Sequence, residues 1–221
     1  MSLDVRGDLE SWTDPSRTAL ILVDIQKDFA SPDGVLGRGG VDMDVVAPAV
    51  QAAQRLAAGA RAAGVPVIFV GLFTDEASDS PVWGEWRKRK GQSGEGGLCR
   101  TGQEGSAFVG PVPEDGEMIV SKLRYSGFFG TSLDARLRAM GVDTLVVCGL
   151  TTECCVDCTV RDAFHLDYFV FLPVDACAAY DVETHDAALK NLELNCATLT
   201  TSDDLLGAWS AGAARSEASN G

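Results

Sequence analysis

The sequence predicts an α/β fold: a three-layer αβα sandwich around a six-stranded, mainly parallel sheet. Short, continuous apolar runs alternate with stretches of helical period, as βαβ units do. The runs are apolar throughout rather than alternating, so both sheet faces are covered. At 221 residues, 46% of them hydrophobic, the chain is sized for a single domain over residues 1–221, and it contains no internal repeat.

The first run, Thr18-Ala-Leu-Ile-Leu-Val, stops at Asp24, and the second occupies residues 65–73. Between them Val46, Val50, Ala53, Leu56 and Ala60 mark one face of a helix. Asp44 is placed to cap it, Pro48 suits its first turn, and Gly64 ends it. A third strand, residues 118–122, leads into a helix capped by Thr131 or Ser132 and closed by Gly141. A fourth, residues 144–150, runs into a helix that starts near Glu153. Residues 168–174 form a fifth strand, 183–195 a helix, and 197–200 a sixth strand.

Residues 74–116 break this rhythm. They are polar and glycine-rich, contain Trp83 and Trp86, and read as a long loop of the kind that is functional or mobile. Their Arg87-Lys88-Arg89-Lys90 run reads first as a solvated stretch and second as an attractor of anions. The tail, residues 210–221, is small and polar and is expected to fray.

Composition excludes several functions. The chain has 18 basic and 32 acidic residues, a net charge of −14, and therefore no basic stripe to displace counterions from a nucleic acid. No apolar run approaches the ~20 residues of a membrane span. The charged N-terminal stretch has no apolar signal region, so a cytoplasmic protein is expected. Seven cysteines in such a chain are read as reduced thiols rather than as a disulfide framework.

In open parallel sheets ligands bind beyond the carboxyl ends of the strands. Asp24, Lys122 and Cys155 all fall at that edge. Singly, they read as a turn cap, a solvated lysine and a core thiol. Together they read as a nucleophile, a base for its proton, and a cation that keeps the base ionised. A cysteine in a first helical turn would also have its thiolate favoured by backbone N–H groups and the helix dipole. Phe29 and Tyr125, each just past one of these residues, are candidate walls for a substrate pocket and equally plain core aromatics. His185 is expected to cap or pack, Arg161 to pair with Asp162, and the cysteines other than Cys155 to act as small hydrophobes. Cys155-Val-Asp-Cys158 is also a C-x-x-C, which makes a thiol–disulfide oxidoreductase the rival reading.

Three stretches carry a resemblance: Asp24-Ile-Gln-Lys-Asp-Phe29, Lys122-Leu-Arg-Tyr-Ser-Gly-Phe, and Gly149-Leu-Thr-Thr-Glu-Cys-Cys155-Val with Thr159, Arg161, Asp162 and Ala163 following. In order and spacing they resemble the isochorismatase-like cysteine hydrolases over roughly residues 18–206. The resemblance implies Cys155 as nucleophile, Asp24 as general base and Lys122 as third member of a triad. It also implies a cis peptide between Leu150 and Thr151, with the N–H groups of Thr151 and Cys155 forming an oxyanion hole. Members that cleave a vinyl ether lack the cysteine, so Cys155 points to amide hydrolysis. Nicotinamidases of the family hold a metal with an Asp and paired histidines. Here residues 73–80 contain no histidine, so no metal and no cofactor are expected. The Arg124-Tyr-Ser-Gly-Phe-Phe-Gly-Thr131 stretch and the Ser80-Pro-Val-Trp83 region resemble the branch that acts on small ureides such as biuret, triuret or ureidoacrylate, with amides such as N-carbamoylsarcosine or nicotinamide as alternatives. Relatives are commonly dimers or tetramers, which implies a homo-oligomer.

Overall fold

The computed structural model describes residues 5–91 and 97–219. The chain begins with α1 (Val5–Trp12), β1 (Thr18–Val23), α2 (Lys27–Ala30) and α3 (Val35–Arg38); a 3-10 turn (Met43–Val45) then leads into α4 (Ala47–Ala62) and β2 (Val67–Leu72). α5 (Pro81–Arg89) and a 3-10 turn (Glu104–Ser106) come before β3 (Met118–Lys122), α6 (Leu133–Ala139) and β4 (Thr144–Leu150). A π-helical turn (Thr152–Val156) opens into α7 (Asp157–His165), followed by β5 (Phe169–Pro173), β6 (Cys177–Ala178), α8 (Val182–Asn195), β7 (Thr198–Thr200) and α9 (Ser202–Ser219).

The strands lie in the order β3-β2-β1-β4-β5-β7, with β6 beside β4, and their pairings are parallel. From β1 the chain winds outward through α4 to β2. From β3 it returns to β4 and continues the other way through α7 and α8. Right-handed crossovers running in opposite directions place their helices on opposite faces. α4, packed on α9, thus covers one face, and α7, packed on α8, the other. β1 and β4 are buried along their whole length because both faces are covered. The reversal point between β1 and β4 opens a crevice at their carboxyl ends. Among the described residues, no helix is long and apolar enough to cross a membrane.

The six predicted strands are present, and a seventh, β6, has only two residues, too few to show as an apolar run. Asp44 does not cap α4. It lies inside the preceding 3-10 turn, where Asp42 Oδ1 accepts its N–H at 3.0 Å. Thr131 is the hydroxyl that serves α6, accepting the Leu133 N–H at 3.2 Å. Residues 74–116 are not one loop. Ser80 Oγ accepts the Trp83 N–H at 3.2 Å, and with Pro81 it starts α5 without any apolar stripe. The basic run lies on this helix, with Arg87 over the Trp83 ring, Lys90 over Trp86 and Arg89 paired with Glu85.

The expected frayed tail is instead helical through Ser219, and residues 220–221 lie outside the described residues. Its anchor is Trp209, 1% exposed, whose indole donates to the Thr13 carbonyl at 3.1 Å.

Gly149 pairs with Val23 in the β1/β4 ladder and leaves no room for a side chain. It has φ +128°, and an added Cβ would lie 2.1 Å from the Val23 carbonyl oxygen. Gly149→Ala is expected to cost about 3 kcal/mol or more, because both the conformation and the approach exclude a side chain. Urea unfolding measures it, and a midpoint equal to wild type would contradict this packing.

Candidate active site

Asp24 directly follows β1, and its backbone N–H still pairs with the Val70 carbonyl of β2 at 2.8 Å. Its φ of +51° turns the chain sharply, a conformation that Asp tolerates better than most residues. Oδ1 accepts the Leu72 N–H at 3.0 Å, so the side chain continues the ladder that the strands leave off. Gln26, fully buried, works similarly, accepting from Leu72 N–H at 2.8 Å and donating to the Leu72 and Ser106 carbonyls.

Lys122, the last residue of β3, reaches across the end of β2. Its Nζ lies 2.7 Å from Asp24 Oδ2 in an ion pair and donates hydrogen bonds to the Arg124 carbonyl at 3.0 Å and to Cys155 Sγ at 3.5 Å. Lys122 and Asp24 are each 1% exposed. Burial draws the lysine down, but the neighbouring Asp24 carboxylate above all outweighs it and holds the ammonium above its ordinary value. Oδ2 of Asp24 takes no hydrogen bond of regular geometry among the described residues. A lone pair on that oxygen is free to receive a proton.

Cys155 sits in the π-helical turn, not in the first turn of an α-helix as expected. Val156 N–H reaches the Thr151 carbonyl at 3.2 Å, which closes the wider turn. The expected thiolate is not favoured either. The hydrogen-bonded Cys154 thiol, then burial, then the charge of Asp24 push the Cys155 thiol well above its ordinary range, and Lys122 only partly opposes them. The surroundings therefore disfavour a resting thiolate, and the ion pair that Lys122 makes is with Asp24.

The Leu150–Thr151 peptide is cis. Thr151 and Cys155, with Phe29 and Tyr125, line a cavity of about 250 Å³ that has Asp24 and Lys122 at its base. All six residues singled out in the sequence thus meet in one place. Thr159 links the parts behind it: its hydroxyl donates to the Cys155 carbonyl at 2.6 Å and accepts the Gly127 N–H at 3.0 Å.

Several expectations change. Arg161 pairs with Asp157 at 2.6 Å and contacts Asn191, not Asp162, because position 157 lies one helical turn before it. His185 does pack, with Nδ1 2.8 Å from the Thr152 hydroxyl behind the π turn, while Asp181 caps α8. Cys154 is no small core hydrophobe; it is partly exposed and lines the cavity. Cys158 is also partly exposed rather than a buried neighbour. Cys155 and Cys158 are both free thiols, and the side chain that contacts the Cys155 sulfur is Lys122, at 3.5 Å. Trp83, from the Ser80-Pro-Val-Trp83 stretch, also lines the cavity, and so does Tyr180, which the sequence analysis did not single out. Tyr180 lies outside the matching motifs, so only the fold brings it in.

Comparison with known proteins agrees with this picture. The Isochorismatase domain description matches residues 18–204. The ureidoacrylate amidohydrolase RutB of Methylobacterium radiotolerans is 40% identical over 192 residues, 81% of this chain and 74% of its own. RutB of Pseudomonas syringae pv. syringae is 37% identical over 202 residues, 86% and 82% of the two chains. Among solved structures, a cysteine hydrolase from Pseudomonas syringae pv. phaseolicola superposes with a TM-score of 0.78 at 30% identity, covering 90% of this chain and 95% of that one. N-carbamoylsarcosine amidase from Thermoplasma acidophilum superposes at 0.68, also 30% identical, covering 85% and 97%. Parallel sheet, crevice at the β1/β4 reversal and matched sequence together place this chain in the isochorismatase family.

Proposed function

We propose that this protein is a cysteine amidohydrolase that cleaves a C–N bond of a small ureide or related linear amide through a thioester. The observation that carries the reading is the buried contact of one ammonium with both a carboxylate and a thiol at the base of a cavity. The names of the relatives, ureidoacrylate amidohydrolase and N-carbamoylsarcosine amidase, support the substrate class.

The residues fit a two-step acyl transfer. Asp24 takes the Cys155 proton as the sulfur attacks the substrate carbonyl, while the N–H groups of Thr151 and Cys155 hold the oxyanion. Loss of one such donor costs a factor of ~10² to 10³. Asp24 then passes the proton to the departing ammonia or amine and activates the water that clears the thioester. Lys122 keeps Asp24 ionised between these transfers and balances charge as the thiolate forms. A neutral resting thiol suits this cycle, since the proton leaves only when the nucleophile is used. No step calls for a metal or cofactor. The reading includes a single domain acting in the cytosol as a homo-oligomer, dimer or tetramer, and the exposed Ile119, Leu123 and Phe129 at and beyond the β3 edge support association.

Cys155→Ser and Asp24→Asn are expected to lower ammonia release from ureides by at least ~10³-fold without loss of fold. Wild-type rates in either variant, with ammonia scored over biuret, ureidoacrylate, N-carbamoylsarcosine and nicotinamide, would refute the mechanism.

Lys122→Met strands a buried carboxylate and is expected to cost about 3–5 kcal/mol in urea unfolding. A folded-state value raised above the unfolded one gives stability that is complete below the unfolded value and lost only as pH climbs through the folded one. The deficit of Lys122→Met is therefore expected to be the same at about pH 7 and about pH 9. A deficit that disappears by the higher pH would mean a lysine held below its ordinary value.

A further inference from the structure

α5 is fixed at its start by Ser80 and Pro81, and this presents Trp83 to the cavity. One turn on, the Arg87 guanidinium sits 5.0 Å from the centre of the Trp83 ring and holds its plane. The indole Nε1–H then donates to the Tyr125 hydroxyl oxygen at 3.1 Å. An indole N–H can only donate, so in this pair the Tyr125 oxygen must accept. The phenol's own hydrogen has no acceptor among the described residues. Burial, the largest influence, holds the phenol above its ordinary value, so that hydrogen is retained. At its other end Tyr125 is tied to the reacting groups, since the neighbouring Arg124 carbonyl takes a hydrogen bond from Lys122.

We infer that Trp83 is a specificity-determining residue: by occupying the acceptor side of the Tyr125 hydroxyl it commits that hydroxyl to donate into the cavity. The substrate so selected carries a second oxygen acceptor, carbonyl or carboxylate, beyond the scissile bond. A simple alkyl amide has no such atom and leaves the Tyr125 hydrogen unanswered. An isolated phenol, free to turn, accepts as readily as it donates and does not discriminate in this way. The inference rests on the amidohydrolase reading and names the feature of the substrate that this cavity reads. Trp83 is a positioning residue, acting through Tyr125.

The test compares wild type, Trp83→Phe, Tyr125→Phe and the double variant on three compounds. Biuret offers a second carbonyl, N-carbamoylglycine a carboxylate, and propionamide neither. KM is measured for each, or Ki where turnover is too slow to follow. Each single variant is expected to raise KM for biuret, N-carbamoylglycine or both by about threefold to tenfold, the worth of one hydrogen bond, with the effect on KM larger than on kcat. Propionamide is expected to shift less, and the double variant to be no worse than Tyr125→Phe alone, because both substitutions remove the same bond. Whichever of biuret and N-carbamoylglycine shifts more identifies the acceptor as carbonyl or carboxylate. Equal shifts for all three compounds, or additive effects in the double variant, would overturn the inference and leave the amidohydrolase reading standing. Failure of the wild-type enzyme to bind any of the three, together with no ammonia release from ureidoacrylate, N-carbamoylsarcosine or nicotinamide, would overturn both.

Discussion

The ion pair between Asp24 and Lys122 is the constraint on which the rest of this molecule depends. Two charges at 1% exposure are costly to bury, and their attraction returns that cost only when geometry is good and remaining hydrogens find acceptors. Here the two charges lie 2.7 Å apart, and the other hydrogens of the ammonium find acceptors. The second carboxylate oxygen is held by a strand-end N–H, and the ammonium has a backbone carbonyl and a sulfur besides its partner. A buried pair of this kind is poor evidence for stability and good evidence for a site. In the proposed mechanism its role is chemical: it places a carboxylate, out of water, beside a thiol.

The fold supplies that geometry through its winding. β1 is flanked by β2 and β4, so the residue after β1 faces both the strand end that aligns Leu72 with Lys122 and the turn after β4 that holds Cys155. Gly149 permits the close approach of β4 to β1, and the cis peptide and π turn follow at once. Behind the turn, Thr159 and His185 fix it to the loop after β3 and to α8. Cys155, the proposed nucleophile, is therefore braced from several elements, as a site requires when its atoms must stay within half an ångström or so of working positions.

Much of this was legible in the sequence because parallel strands buried on both faces leave uninterrupted apolar runs, and each run ends where its chemistry begins. Asp24, Lys122 and Cys155 stand at such ends, so the motif order and the sheet rule converge on them. Other features left no local trace. α5 has no apolar stripe, and its start rests on Ser80 and Pro81 within a polar stretch. The π turn differs from an α-helix by one hydrogen-bond register, and periodicity over so few residues does not resolve it. Arg161 chose Asp157 over its sequence neighbour for reasons of helical spacing. The expectation of a thiolate rested on the helix dipole, which a sequence shows, whereas the neighbouring Cys154 thiol, the burial and the Asp24 charge that push the Cys155 thiol up act together only in three dimensions.

The central claim is a protonated thiol poised beside an ionised Asp24–Lys122 pair. A pH titration of the ultraviolet thiolate absorbance, taken as the difference between wild type and Cys155→Ser and repeated in the Asp24→Asn background, measures it directly. The account predicts that Cys155 ionises only above the ordinary thiol value of 9.0 in the wild-type protein. It also predicts a move to lower pH once the Asp24 charge is gone and that of Lys122 remains. A Cys155 thiolate already formed in acid solution, or a titration indifferent to Asp24, would contradict it.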